Sequence, residues 1–416
     1  MPEPEVRETA GRYVAILGSL DTKGQEIEFL RGRVRAEGGE PLVVDTGVLD
    51  SPTIPADIDR HRVVAAAGTS IKALIRKGDK AYALVTMADG AAAILHTLFQ
   101  QGQLGGVLSI GGSRGTALST RVMQALPVGV PKLMVSTMAS GHNPFGPYVG
   151  TKDVTLMHSV ADVQGINAVT RPIFMNAAAA IVAMSRVGAP VQRAERRVLA
   201  ASMLGVSTML VGQIQDLMAD EGSEVIAFHA VGTGGRSMEE LIDNGVIDGV
   251  FDVTPGEMTA LVVDGPFSAG PGRMQAAGRR GIPQVLAPGG LDFIIEGRLD
   301  ALPDRYKGRK TMGHTPTISL VRTSAEEMAS VAHLIAQRLA ASSGPAAAIL
   351  PLRGFGWFAR EGQPLHEPES DRAFVETFKD HVPARVRVVE MDTHLNDPRV
   401  GEVAVQLMQE MLAVAD

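Results

Sequence analysis

The run "RYVAILGSLDTKGQEIEFLRGRVRAEGGEPLVVDTG" (Arg12 to Gly47) sets a short apolar strand, a turn, a helical face and a second apolar strand in succession. Tyr13 to Leu17 read as the first strand, and Ile27, Leu30 and Val34 as one face of the helix. Thr22 with Gln25 three residues later has the form of a capping box, and Gly38-Gly39 stops the helix. The second strand is "PLVVD". A βαβ unit of this kind demands parallel pairing and a right-handed crossover, which leaves few topologies open.

The same order continues. Leu84, Val85, Ala88, Ala92, Leu95 and Phe99 recur at helical spacing, which puts Asp89 at a solvated helix position. "GVLSI", a glycine turn, a helix through Met123 and Leu126, and "KLMVST" follow. Beyond the polar stretch "GAPVQRAERR" (Gly188 to Arg197), "RVLAAS", "EVIAFHA", "GVFDVT", "PQVLAPG", "AAAILPL" and "VRVVEMD" are strand-like. "EGGEPLVVDTG" has a counterpart in "EGSEVIAFHAVG", and the Gly18–Gly47 interval of 29 residues is close to the Gly205–Gly232 interval of 27. The expectation is an α/β protein of two Rossmann-like subdomains, residues 1–190 and 191–416. Each is an open, mostly parallel sheet flanked by helices, with the ligand cleft between them or at the strand carboxyl ends.

Composition narrows the function classes. A net charge of −7 without a long basic run argues against nucleic acid, and the absence of cysteine removes disulfides, thiolate metal sites and a cysteine nucleophile. The best candidate for a membrane span, Ile173 to Met184, is too short and lies between Arg171 and Arg186. The N-terminus is polar and acidic, unlike a signal peptide, so a cytoplasmic location is expected. Alanine-rich helices such as "NAAAAIVAM" suit self-association as well as a single core. The Gly/Pro-rich excursion from Pro351 to Ser370 reads as a functional loop or a surface insert.

Open parallel sheets bind ligands at the strand carboxyl ends, so the residues placed there are the site candidates. They are Gly18, Ser19, Asp21, Thr22 and Lys23 after the first strand, and Asp45 and Thr46 after the second. Gly111, Gly112, Ser113, Gly115 and Thr116 follow "VLSI", and Ser136 ends "KLMVS". In the second half they are Gly232, Thr233, Gly234, Gly235 and Arg236, with Ser237 and Glu240 as a capping box. Turns like "GGSRGT" and "GTGGR" let an anion approach backbone N–H groups at a helix start. Neither is a Walker loop, since no lysine follows Gly115, and no G-x-S-x-G elbow exists. Asp21, Asp45, Asp252 and Asp392 are the carboxylates that could hold a hydrated Mg²⁺ beside phosphates. His142, His229, His314, His366 and His394 show no metal-ligand spacing, and no catalytic residue can be assigned.

"YVAILGSLDTKGQEIEFLR", "LSIGGSRGT", "HAVGTGGRSMEELI", "SAGPGRMQAAGRRGIPQVLAPGGLDF", "LPLRGFG" and "DTHLNDP" together resemble the ATP-binding region of the plant tobamovirus-resistance family and its bacterial and fungal relatives. The resemblance runs from about Tyr13 to Leu412. It implies two Rossmann-like subdomains, an ATP site and a tendency to form homo-oligomers. The family's loops fall on Gly18–Lys23, Gly111–Thr116 and Gly232–Arg236, with Arg114 where a glycine is expected. The first expectation is therefore an ATP-binding protein. A second is an ATP-dependent enzyme on a small phosphorylated or carboxylate metabolite. There Arg236, Lys23, Arg353 and His394 would hold the anion, with Glu257 or Asp21 as base. A third is a non-catalytic, ligand-gated scaffold for a protein partner.

Overall fold

Strand β1 (Tyr13–Gly18) is apolar along its whole length because both of its faces are covered. Val14 and Ile16 pack with the helices Leu20–Ala36 and Thr170–Val187 on one side. Ala15 and Leu17 pack on the other with the helices Lys80–Gln100 and Ser113–Gln124. Side chains alternate across a strand, so a strand buried on both faces loses the polar alternation of a half-exposed one. In the computed structural model residues 12–140, 146–187 and 196–415 are described.

The chain divides into two units, Met1–Val191 and Gln192–Asp416. Most of the expected boundary, residues 188–195, lies outside the described residues, as does His142. In the first unit β1 joins β2 (Glu40–Asp45), β3 (Leu104–Gly111), β4 (Lys132–Ser136) and β5 (Thr155–His158) in the order β2-β1-β3-β4-β5. Every pairing is parallel. In the second unit β6 (Val198–Met203), β7 (Glu224–His229), β8 (Gly249–Asp252) and β9 (Gln284–Leu286) come first. The strands β10 (Phe293–Glu296), β11 (Thr311–Thr315) and β12 (Ile318–Arg322) form a separate antiparallel sheet, inserted before β13 (Ala346–Pro351) and β14 (Arg387–Met391). The main sheet runs β14-β13-β9-β8-β6-β7, all parallel. Both units are thus doubly wound, with strand order reversing between β1 and β3 in one and between β6 and β8 in the other. That reversal is where such sheets form a crevice.

Several local expectations need correction. The first helix starts at Leu20 behind Ser19 and leaves helical geometry at Lys23, so Thr22 caps nothing and its hydroxyl turns back to Ser19 O. The helix after β7 starts at Thr233, and Ser237 lies inside it, bonded to Thr233 O, so Ser237 and Glu240 are no capping box. The helix Lys80–Gln100 buries Ala88 and Leu95 and packs Leu84, Ala92 and Phe99 against the core as expected, but it also buries Ala83, Met87 and Ala91 and leaves Val85 exposed. By length and composition this helix, rather than Ile173–Met184, could cross a membrane, but its buried face belongs to the first unit's core. Asp89 lies on its exposed side, paired with Arg121.

Candidate functional site

The β1/β3 switch point of the first unit opens into a cavity of about 320 Å³. Its floor contains Gly18, Ser19, Asp21, Thr22 and Lys23 from the turn after β1, with Thr46 from the end of β2. Gly111, Gly112, Ser113, Arg114 and Gly115 complete it from the turn after β3. The opposite wall is apolar: Val48, Leu49, Ala83, Leu84, Met87 and Leu118.

Two helices begin at this floor, behind Ser19 and Gly112, and neither has a side-chain cap. The first satisfies all but one of its early amides internally, Asp21 N having no acceptor among the described residues. Leu20 N donates to Asp45 Oδ1, and Thr22 N and Lys23 N donate to Ser19 O. The second does not. Thr116 N donates to Gly112 O, whereas among the described residues the amides of Ser113, Arg114 and Gly115 have no acceptor. Orphan donors at a helix start carry its positive dipole end and favour an anion.

Sterics say the same of this turn. A Cβ at Gly112 would meet only Thr137 Oγ1 at 3.7 Å, and one at Gly115 only Ile110 O at 3.5 Å, both ordinary contacts. Neither residue has a positive φ. The fold tolerates side chains there; what their absence leaves is room at the cavity floor.

The polar groups behind the floor hold its shape. Ser109 Oγ donates to Leu17 O at 2.9 Å and meets Ser119 Oγ at 2.7 Å, tying the ends of β1 and β3 together. Thr116 Oγ1 meets Ser136 Oγ at 2.6 Å, and Asp45 Oδ1 also accepts from Gly47 N at 2.8 Å. Asp45, Thr116 and Ser136 are buried and sit behind the lining. Burial raises the Asp45 carboxyl pKa above its ordinary value. Of the charged groups at the lining, Lys23 Nζ donates to Val163 O and lies 4.0 Å from Glu26. Asp21 Oδ2 accepts from Leu49 N at 3.2 Å. Arg114 is exposed and makes no ion pair among the described residues. Arg114, Ser109, Ser119 and the apolar wall were not among the sequence candidates, and only Arg114 carried a local signal.

The glycine turn of the second unit is arranged differently. Gly232 N and Gly235 N both donate to Glu257 Oε1, at 2.6 and 3.0 Å. A protein carboxylate thus occupies the position on these amides that the sequence reading gave to a ligand anion. The glycines have internal reasons here: a Cβ at Gly235 would lie 1.9 Å from Glu257 Oε2, and one at Gly234 1.8 Å from His229 O. Gly232 itself has φ +86°. Glu257 is buried, and Arg273 Nε donates to its Oε2 at 2.7 Å. Arg273 also bonds both oxygens of Asp252, which removes Asp252 as a free metal ligand. Thr233 and Arg236 are exposed on this turn. Arg353 pairs with Asp392 at the surface, and His394 Nε2 lies 3.1 Å from Gly356 O. No group of three His, Asp or Glu side chains suited to a metal occurs among the described residues.

Two doubly wound α/β units, one with an open polar crevice at its switch point and one whose glycine turn is internally filled, define a tandem Rossmann-like protein. Residues 12–190 match the N-terminal domain and residues 196–412 the C-terminal domain of an uncharacterised protein family, UPF0261. The chain belongs to that family. A UPF0261 protein of Clostridium tetani is 39% identical over 96% of this chain and 98% of its own length. One from Rhizobium meliloti is 36% identical over 96% and 99%. The ToMV resistance protein Tm-1(GCR237) of Solanum lycopersicum is 30% identical, covering 96% of this chain and 55% of that protein.

Proposed function

We propose that the first unit binds a nucleoside triphosphate, ATP, in the β1/β3 crevice. The observation that carries this reading is the uncapped helix start at Ser113–Gly115, with orphan amides beside two glycines the fold does not require. Phosphate oxygens satisfy such donors. Arg114 supplies a cation, and the Val48–Met87 side of the cavity offers an apolar surface for the base. A Mg²⁺ carried by the phosphates would find Asp21 as the carboxylate at the lining.

Calorimetric titration of ATP, with and without Mg²⁺, tests the reading on three proteins. The wild type is expected to bind, and Gly112→Val to bind at least ~10-fold more weakly, a loss of ~1.4 kcal/mol. Its folding is expected to change by less than about 1 kcal/mol, since a Cβ at this position meets only Thr137 Oγ1 at 3.7 Å and the backbone φ is negative. Gly115→Ala should raise helix stability by up to ~1 kcal/mol and still weaken ATP, because the methyl group enters the cradle. Wild-type affinity in both variants would place the phosphates elsewhere. The same change in the second unit has the opposite consequence. Gly235→Ala, driven against Glu257, should destabilise by several kcal/mol, read as a lower urea midpoint.

A further inference from the structure

We propose that the second unit binds a small, planar, uncharged organic molecule in an aromatic cavity beside its own switch point. This site lies wholly in the second unit and does not depend on the nucleotide reading. The cavity measures about 440 Å³ and starts where the chain leaves β6, at Leu204, Gly205 and Val206. Its position corresponds to that of the crevice in the first unit: the carboxyl end of the strand from which the doubly wound order reverses.

The inserted antiparallel sheet supplies one wall. Phe293 and Ile295 of β10 and Ile318 and Leu320 of β12 alternate along their strands, so one face of the insert is turned to the cavity. The other face has a separate packing role, with Ile294 and Val321 buried against Tyr306. The Gly/Pro-rich excursion after β13 supplies Trp357 and Phe358. Trp357 is 41% exposed, a large indole held at a cavity rather than in the core. The Arg360 guanidinium lies over its ring, 3.5 Å from the centroid, which fixes the ring plane. Phe358 meets His314 edge-to-face at 6.1 Å between centroids.

The chemistry of the lining decides the class of ligand. It contains no Lys, Arg, Asp or Glu. The amides of the glycine turn after the neighbouring strand β7 are already taken by Glu257, and Glu257 is neutralised by Arg273. A charged ligand would lose its hydration with no oppositely charged side chain in the lining to replace it, the nearby Arg360 guanidinium being stacked on the Trp357 ring. Aromatic walls favour a flat ring system, and His229, His314 and the Trp357 indole N–H are the lining side-chain groups able to hydrogen-bond one polar substituent.

Trp357 is the single tryptophan of the chain, so energy transfer from it reports occupancy of this cavity directly. The probe is N-phenyl-1-naphthylamine, uncharged and planar in each ring, compared with 8-anilinonaphthalene-1-sulfonate, the same skeleton with one negative charge. The full-length protein is expected to bind the neutral dye saturably, one per chain, with quenching of Trp357. The sulfonate should bind at least ~10-fold more weakly. Gly205→Leu extends a side chain where a Cβ meets nothing within 4 Å, and should weaken the neutral dye at least ~10-fold by filling the cavity. Phe358→Ala, which removes a wall instead, should weaken it too and covers the case in which the first variant fails to fold. Unsaturable binding, equal or tighter binding of the sulfonate, or wild-type affinity in both variants overturns the proposal. So does a protein that excludes both dyes until Phe358→Ala lowers its mass in light scattering, since the cavity would then be covered by a second copy of the chain.

Discussion

Changing Arg273 to methionine is expected to cost the second unit at least ~3 kcal/mol, enough to leave much of it unfolded at moderate urea concentration. The guanidinium is fully buried and bonds Glu257 at 2.7 Å, Asp252 at 2.5 and 2.7 Å, and Glu239 at 3.4 Å. Each carboxylate in turn fixes backbone. Glu257 holds the amides of Gly232 and Gly235, and Glu239 those of Met274, Gln275 and Ala276. Asp252 accepts from Ser202 Oγ at 2.7 Å, and Ser202 Oγ accepts from Thr254 N at 2.9 Å. Methionine restores much of the lost volume, so packing is the smaller term. The larger one is charge: carboxylates that remain buried with their only described guanidinium gone. A broken buried pair typically costs ~3–5 kcal/mol, against a total stability of ~5–15 kcal/mol. Urea unfolding followed by circular dichroism measures it. The double variant Arg273→Met/Glu257→Gln should lose less than the sum of its singles, because one of the orphaned charges is gone. A wild-type midpoint for Arg273→Met would show that water reaches and screens these groups.

That network was invisible in the sequence, and the reason is distance along the chain. Glu257 meets Gly232 across 25 residues and Arg273 meets Asp252 across 21, whereas turn and cap signals act over three or four. What could be read was whatever the chain repeats locally. The apolar runs of β1, β3 and β13 are continuous because helices cover both faces, and the glycine turn after β3 announces itself by composition. The buried face of Lys80–Gln100 was read too narrowly because the helix is apolar nearly all round. Gly90 adds a close approach that no apolar pattern marks: a Cβ there would lie 2.0 Å from Val63 O of the helix Arg60–Ala66. The antiparallel insert escaped notice because β11, Thr311–Thr315, is exposed along most of its length and carries no apolar alternation. The first unit's crevice was half legible for the same reason. Its glycine floor is local, but its apolar wall is gathered from three separate segments: Val48 and Leu49 after β2, Ala83, Leu84 and Met87 of Lys80–Gln100, and Leu118 of Ser113–Gln124.

A loss of stability between about pH 4 and pH 7 is the second large effect expected of this chain, and Asp292 is its main source. Its side chain is fully buried, and neither carboxyl oxygen has a hydrogen-bond partner among the described residues. Arg322 is near but spends Nη1 on the main-chain oxygen of Asp292 and Nη2 on Asp371 and Glu367 O. Burial, only partly opposed by the Arg322 charge, pushes the Asp292 carboxyl from 3.8 up to about 7. Below about pH 4 the group is protonated in both folded and unfolded chains. Between about 4 and 7 the folded protein keeps the proton while the unfolded chain releases it, so stability falls as pH rises. A shift of this size corresponds to a ceiling of ~4 kcal/mol, fully lost above about pH 7. Asp371, also raised by burial, adds to the loss in the same direction. Asp397 and Glu327 are held below their ordinary values, so their stabilisation fades only at more acid pH and does not mask the effect. Urea titrations at pH 5 and pH 8 should show the wild type weaker at pH 8 by a few kcal/mol. Asp292→Asn replaces a buried charge by a buried dipole, which costs less to desolvate, so at pH 8 the variant should be the more stable protein. At pH 5 the order should vanish or reverse, because the protonated carboxyl and the amide are then near equals. A wild type equally stable at both pH values would mean that Arg322 compensates the Asp292 charge despite pointing its donors elsewhere.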